Sequence, residues 1–90
     1  MSEVKVYTTQ YCGFCTRAKR LLEQEDIPFL EIDITGDSEA RIELIERSQG
    51  QRTVPQIFVG QTHVGGFSEL LALYRGGALD PLLQAEGINS

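Results

Sequence analysis

The chain has 90 residues, 41% of them hydrophobic and 23% charged, with a formal net charge of −5. That balance describes one globular domain over residues 1–90, with an ordered core over about residues 4–86, able to bury its apolar surface without covalent staples. The negative charge argues against nucleic acid or an anionic membrane as partner. No run of about 18 apolar residues marks a membrane span, and Met1–Lys5 lacks the basic and apolar segments of a secretory signal, so a cytoplasmic location is expected.

Val4 and Val6 alternate with Lys5 and Tyr7, which predicts a first strand over Lys5 to Thr8. Gly13 to Gln24 then takes a helical period. Cys15, Ala18, Leu21 and Leu22 share one face, and Arg17, Lys19, Arg20 and Glu23 lie on the other. Pro28 stops this helix through its restriction on the preceding residue, and Phe29 to Ile34 reads as a second strand. A crossover of this length makes a right-handed βαβ unit with parallel strands. Ser38 to Arg47 is a second helix, with Asp37 or Ser38 as N-cap and Ile42 and Ile45 as its inner face.

Ser48 to Thr53 is polar loop. Val54 to Val59 and Thr62 to Val64 are strands joined by the Gly60-Gln61 hairpin. A helix over Ser68 to Arg75 presents Leu70, Leu71 and Tyr74, and Gly76-Gly77 closes it. Asp80-Pro81 caps a last turn over Leu82 to Ala85, with proline at the first helical position, and Gly87 to Ser90 frays. The order βαβ-α-ββα predicts an α/β fold: a four-stranded mixed sheet with helices on both faces. Its core includes Leu21, Leu22, Ile42, Ile57, Val59 and Leu71.

The two cysteines, Cys12 and Cys15, stand in the sequence Tyr11-Cys12-Gly13-Phe14-Cys15 where the first strand gives way to the first helix. Unpaired N–H groups and the helix dipole at that place stabilise a thiolate, and Arg17, Lys19 and Arg20 add positive charge nearby. Cys12 therefore reads as a partly exposed nucleophile of lowered pKa, and Cys15, on the buried face, as a resolving thiol. A permanent disulfide is disfavoured by a reducing cytosol and by geometry. Residues three apart on a helix hold their Cβ atoms about 5–6 Å apart, where a disulfide prefers about 3.8 Å. A structural zinc site needs four ligands, and His63, the single histidine, reads as a surface strand residue. A metal or cluster shared between two chains stays open, but the position of the pair favours a redox couple.

With these residues placed, the chain resembles a glutaredoxin of the bacterial dithiol type from Val4 to about Leu83. The resemblance rests on Tyr11-Cys12-Gly13-Phe14-Cys15, on Thr53-Val54-Pro55 and on Gly65-Gly66-Phe67-Ser68-Glu69-Leu70, in that order; Asp80-Pro81-Leu82-Leu83 is also similar to the end of that type. It implies a thioredoxin fold and reduction of protein–glutathione mixed disulfides and other disulfides, with Cys12 as nucleophile and Cys15 resolving protein intermediates. Glutathione would be the co-substrate, regenerated by glutathione reductase and NADPH, and the protein would act as a monomer.

The resemblance further implies glutathione-binding roles for Tyr11, Phe14, Arg52, Thr53, Val54, Pro55, Gly66, Phe67, Ser68 and Glu69. A cis bond at Pro55 would present the Val54 backbone to the extended tripeptide. Gly65-Gly66 would admit close approach, and Ser68 at a helix start would meet the γ-glutamyl carboxylate.

Two departures matter. Many glutaredoxins carry lysine where this chain has Thr9, which removes a charge-assisted contact that Arg52 is expected to replace. Gly13 stands where many dithiol members have proline, and glycine also occupies this place in the Cys-Gly-Phe-Ser members that hold iron–sulfur clusters. A [2Fe–2S] centre held by Cys12 from two chains and two glutathiones is therefore the alternative; Cys15 in place of serine argues against it. A thioredoxin-like protein reduced by a flavoenzyme is disfavoured by the lack of Trp-Cys-Gly-Pro-Cys and of any tryptophan.

Overall fold

The computed structural model describes residues 3–88. The elements are β1 (Val4–Thr8), α1 (Gly13–Gln24), β2 (Phe29–Asp33), α2 (Ser38–Arg47), β3 (Gln56–Val59), β4 (Thr62–Gly65), α3 (Phe67–Arg75) and α4 (Leu79–Ala85). The sheet runs β2-β1-β3-β4, with β1 parallel to β2 and antiparallel to β3, and β3 antiparallel to β4. Strand alternation divides the core in two. Val4, Val6, Ile57 and Val59 face Ala18, Leu21 and Leu22 of α1, Leu70 of α3 and Leu79 and Leu83 of α4. Tyr7 and Phe58 point the other way, toward Ile34 and Leu44 beneath α2. Helices on both faces of a mixed sheet are thus observed as expected.

Helix α1 has the bounds its periodicity predicts, and its four buried residues are Cys15, Ala18, Leu21 and Leu22. Its first turns are tied to the sheet by one carboxylate. Glu31 of β2 accepts from the buried Thr8 hydroxyl at 2.8 Å and pairs with Lys19 Nζ at 3.0 Å. The Lys19 ammonium and then the Thr8 hydroxyl hold the Glu31 carboxyl below its ordinary range.

Helix α2 corrects one expectation. Asp37 does cap it, accepting the Ala40 N–H at 3.0 Å. Its inner face, however, is Ala40, Leu44 and Ser48, while Ile42 is 58% exposed and outside the core. Ile42 lies two residues from both Ala40 and Leu44, about 200° around the helix, so a row at spacing four that faces the sheet turns it to solvent. Ile45 is half-buried at the edge of that row, as is Leu71 on α3.

The chain end corrects another. Helix α4 begins at Leu79 behind an Ala78 cap, three residues earlier than expected, and Pro81 sits within its first turn, where a missing N–H costs no intrahelical bond. Gly87 does not fray. With φ 74° it closes a Schellman cap, in which Gly87 N–H reaches Gln84 O at 3.0 Å and Ile88 N–H reaches Leu83 O at 2.8 Å. Ile88 is buried in the main core. The rest of the expected fraying, at 89–90, lies outside the described residues.

The Ile42 correction has a direct check in urea denaturation. Leu44→Ala should destabilise by about 2–4 kcal/mol and Ile42→Ala should change stability by under about 0.5 kcal/mol; equal losses would contradict this placement of α2.

Candidate active site

Cys12 is the N-cap of α1. Its backbone is extended, at φ −134° and ψ 105°, and its Sγ accepts the Cys15 N–H at 3.1 Å. A sulfur thus occupies the place usually taken by a serine or aspartate oxygen, receiving one of the four N–H groups that a helix start leaves unpaired. A thiolate gains from that contact more than a thiol does, because the bond becomes charge-assisted and the helix dipole adds to it, by about 0.3–1 kcal/mol.

The two sulfurs are bonded as a disulfide, with Cα atoms 5.2 Å apart. The misfit expected for two helical positions does not arise, because Cys12 stands outside the helix in extended conformation. Cys15 is 2% exposed, whereas Cys12 is half-buried and opens to the surface.

The basic residues of α1 do less here than their sequence positions suggest. Lys19 is paired with Glu31, and the Arg17 guanidinium lies 5.5 Å from the centre of the Phe14 ring. The helix terminus is a source of positive potential in direct contact with Cys12 Sγ.

Opposite the thiols lies the loop before β3. Its Val54–Pro55 peptide is cis, as expected, and Val54 O is 3.6 Å from Cys12 Sγ. Pro55 lacks an N–H, and β3 starts only at Gln56. A third wall comes from the start of α3, with Gly66 as N-cap. Gly66 donates its N–H to Glu69 Oε1 at 2.7 Å, which leaves the Phe67, Ser68 and Glu69 N–H groups without intrahelical acceptors. Gly65 has φ 115°, a backbone conformation that favours glycine, and a Cβ on it would fall 2.8 Å from Glu69 Oε1, so glycine at 65 suits the entry of the chain into the helix under this cap.

These three walls enclose an open groove of about 260 Å³ lined by Phe14, Thr53, Val54, Pro55, Gly66, Phe67, Ser68 and Glu69. Phe14 and Phe67 stack at 6.3 Å and link the starts of α1 and α3 across it. Of the remaining residues singled out in the sequence, Tyr11 is 93% exposed and Arg52 is exposed, both outside the groove lining. Thr9 is half-buried, and Gly13 has open space where a side chain would project, so nothing steric demands glycine there.

Sequence reasoning missed the residues that hold the loop. Gln56 and Ser48 are fully buried, and His63 is half-buried and not simply a surface residue. Gln56 donates to Thr53 O at 3.0 Å and lies 2.7 Å from His63 Nε2, while Ser48 Oγ donates to Gln51 O at 3.1 Å. The available signal was a glutamine that strand alternation sends to the same buried side as Phe58.

Cysteines at the first helix of such a sheet, facing a cis-proline loop, define the thiol–disulfide oxidoreductases of the thioredoxin fold. The family model "Glutaredoxin" matches residues 4–64. A glutaredoxin of Pseudomonas aeruginosa is 51% identical over 94% of this chain and 100% of its own length, and glutaredoxin 3 of Escherichia coli is 46% identical over 93% and 100%. The crystal structure of a buckwheat glutaredoxin–glutathione complex superposes with a TM-score of 0.83 at 32% identity, covering 99% of this chain and 83% of that one. The chain belongs to the glutaredoxin family.

The exposure difference between the thiols sets their reactivity. After reduction, iodoacetamide should modify Cys12 at least about tenfold faster than Cys15, as read by peptide mass spectrometry; equal rates would contradict the burial of Cys15.

Proposed function

We propose that this oxidoreductase is glutathione-dependent and reduces protein–glutathione mixed disulfides, together with protein and small-molecule disulfides. The observation that carries this reading is the groove beside Cys12. It is bounded by two helix starts and an open loop, and its dimensions and donors suit an extended, anionic tripeptide.

In the first step the Cys12 thiolate attacks the glutathionyl sulfur of a mixed disulfide. The S–S bond breaks, the client thiolate leaves and takes a proton, and Cys12 carries glutathione. A second glutathione thiolate then attacks the glutathionyl sulfur on Cys12, releasing glutathione disulfide and the Cys12 thiolate. With a protein disulfide, Cys12 first attacks one client sulfur, releasing the other as a thiolate and forming a mixed disulfide; Cys15 then attacks Cys12 Sγ, frees the reduced client and leaves the Cys12–Cys15 disulfide, which two glutathiones reduce to two thiols and glutathione disulfide. The same helix terminus that stabilises the attacking thiolate makes Cys12 a good leaving group.

The γ-glutamyl carboxylate is assigned to the start of α3, where the Phe67 and Ser68 N–H groups and the Ser68 hydroxyl are available. The Glu69 carboxylate is engaged with Gly66 N–H, so Glu69 contributes its backbone and the shape of the wall. The Val54 backbone pairs with the cysteinyl residue, Pro55 and Thr53 continue that wall, and Phe14 and Phe67 flank it. Arg52, with Tyr11 at the rim, takes the glycine carboxylate in place of the lysine that Thr9 replaces. Cys15 beside Cys12 favours this dithiol cycle over a cluster held by Cys12 in a dimer.

No helix among the described residues is long and apolar enough to cross a membrane. The proposed setting is the cytosol, with the protein monomeric and glutathione disulfide recycled by glutathione reductase and NADPH.

Turnover of a glutathionylated peptide, coupled to glutathione reductase, tests the reading. Cys12→Ser should be inactive, and Cys15→Ser should keep peptide turnover while losing reduction of a protein disulfide. Arg52→Ala should raise KM about two- to tenfold at low salt, through loss of one charge-assisted contact. An inert wild type would overturn glutathione dependence, and an unchanged KM would remove Arg52 from the site.

A further inference from the structure

Gln56 is a fully buried amide at the first position of β3, and every polar atom it has is engaged. Its Nε2 lies 3.0 Å from Thr53 O, 3.3 Å from Thr53 Oγ1 and 3.0 Å from Gln51 Oε1. Thr53 O can only accept, so this end of the amide is the nitrogen. The other end, Oε1, must then accept, and its neighbour at 2.7 Å is His63 Nε2. His63 therefore carries a hydrogen on Nε2.

The histidine ring is itself held in place. His63 pairs across the strands with Phe58, and the two rings lie 4.9 Å apart. A chain of contacts thus runs from edge strand β4 through Gln56 to the loop bearing Thr53, Val54 and Pro55.

That loop has few other anchors. Gln51, Arg52 and Thr53 are exposed, and among the described residues the interior side chains that bond 51–53 are Gln56 and Ser48. The loop forms one wall of the groove and sets Val54 O 3.6 Å from Cys12 Sγ. Its position therefore decides how far a bound chain lies from the reacting sulfur.

We propose that Gln56 and His63 are positioning residues that clasp the Thr53–Val54 loop and so set the affinity for the glutathionyl substrate, without touching it. This rests on the glutathione reading above. Neither residue lines the groove, and neither takes part in the exchange steps, so the clasp acts on binding and leaves the chemistry of Cys12 alone.

The test compares wild type, His63→Leu, His63→Gln and Gln56→Met in steady-state turnover of a glutathionylated peptide. Backbone 15N relaxation at residues 51–54 is measured on the same proteins. His63→Leu should raise KM about three- to tenfold with kcat within about twofold, the pattern of lost uniform binding. His63→Gln, whose amide nitrogen can occupy the place of Nε2, should restore KM to within about twofold of wild type.

Gln56→Met should behave as His63→Leu does, and if it fails to fold, the two histidine variants decide alone. An unchanged KM, a fall in kcat at constant KM, or no rescue by glutamine would overturn the proposal and leave a structural role. If the wild type shows no glutathione turnover, the functional reading fails, and relaxation decides the clasp separately. Thr53 and Val54 must be more mobile in His63→Leu, with lowered order parameters, and recover in His63→Gln; unchanged order parameters overturn it.

Discussion

The hydrogen bond from the Cys15 N–H to Cys12 Sγ is the contact on which the rest of the site depends. It is a helix cap built with sulfur, so the position that starts α1 is also the position that presents the proposed nucleophile. The strand β1, parallel to β2 and buried between β2 and β3, fixes where the chain leaves the sheet, and the apolar face of α1 fixes the rotation of the helix. That rotation turns Cys15 inward to 2% exposure and leaves Cys12 open at the surface. One amphipathic pattern thereby gives two identical side chains different surroundings.

Around that cap, the fold gathers three segments far apart in sequence. The start of α1, the cis-proline loop and the start of α3 meet at one end of the sheet, and stacking of Phe14 on Phe67 joins the two helix starts directly. Helix starts are electropositive without any basic side chain. This suits a chain whose net charge is −5 and whose Lys19 is paired with Glu31. Backbone groups at the two helix starts thus add positive potential at the site of a chain that is acidic in net charge.

Local pattern made much of this legible. The bounds of α1, the parallel βαβ unit, the Asp37 cap, the Gly60-Gln61 hairpin and the cysteine placement all follow from spacing, capping and turn chemistry within short windows. What was not legible depended on choices made at longer range. Helix α2 offers apolar rows through Ile42 and through Leu44, and only docking on Ile34, Tyr7 and Phe58 selects the second. Ile88 becomes core because a Schellman turn folds the chain back on α4. The charges of Arg17 and Lys19 could be counted in sequence but their partners could not. Gln56 was passed over because a polar residue in a strand reads as surface until the strand is known to be interior, and His63, on edge strand β4, because its partner Gln56 lies on another strand.

The proposed cycle requires Cys12 to be the sulfur that accepts glutathione. The most direct measurement is intact-mass analysis of Cys12→Ser and Cys15→Ser proteins after brief exposure to a glutathionylated peptide. The cycle predicts a single glutathionyl group on Cys15→Ser and none on Cys12→Ser. Modification of Cys12→Ser in comparable yield, or an unmodified Cys15→Ser, would contradict it.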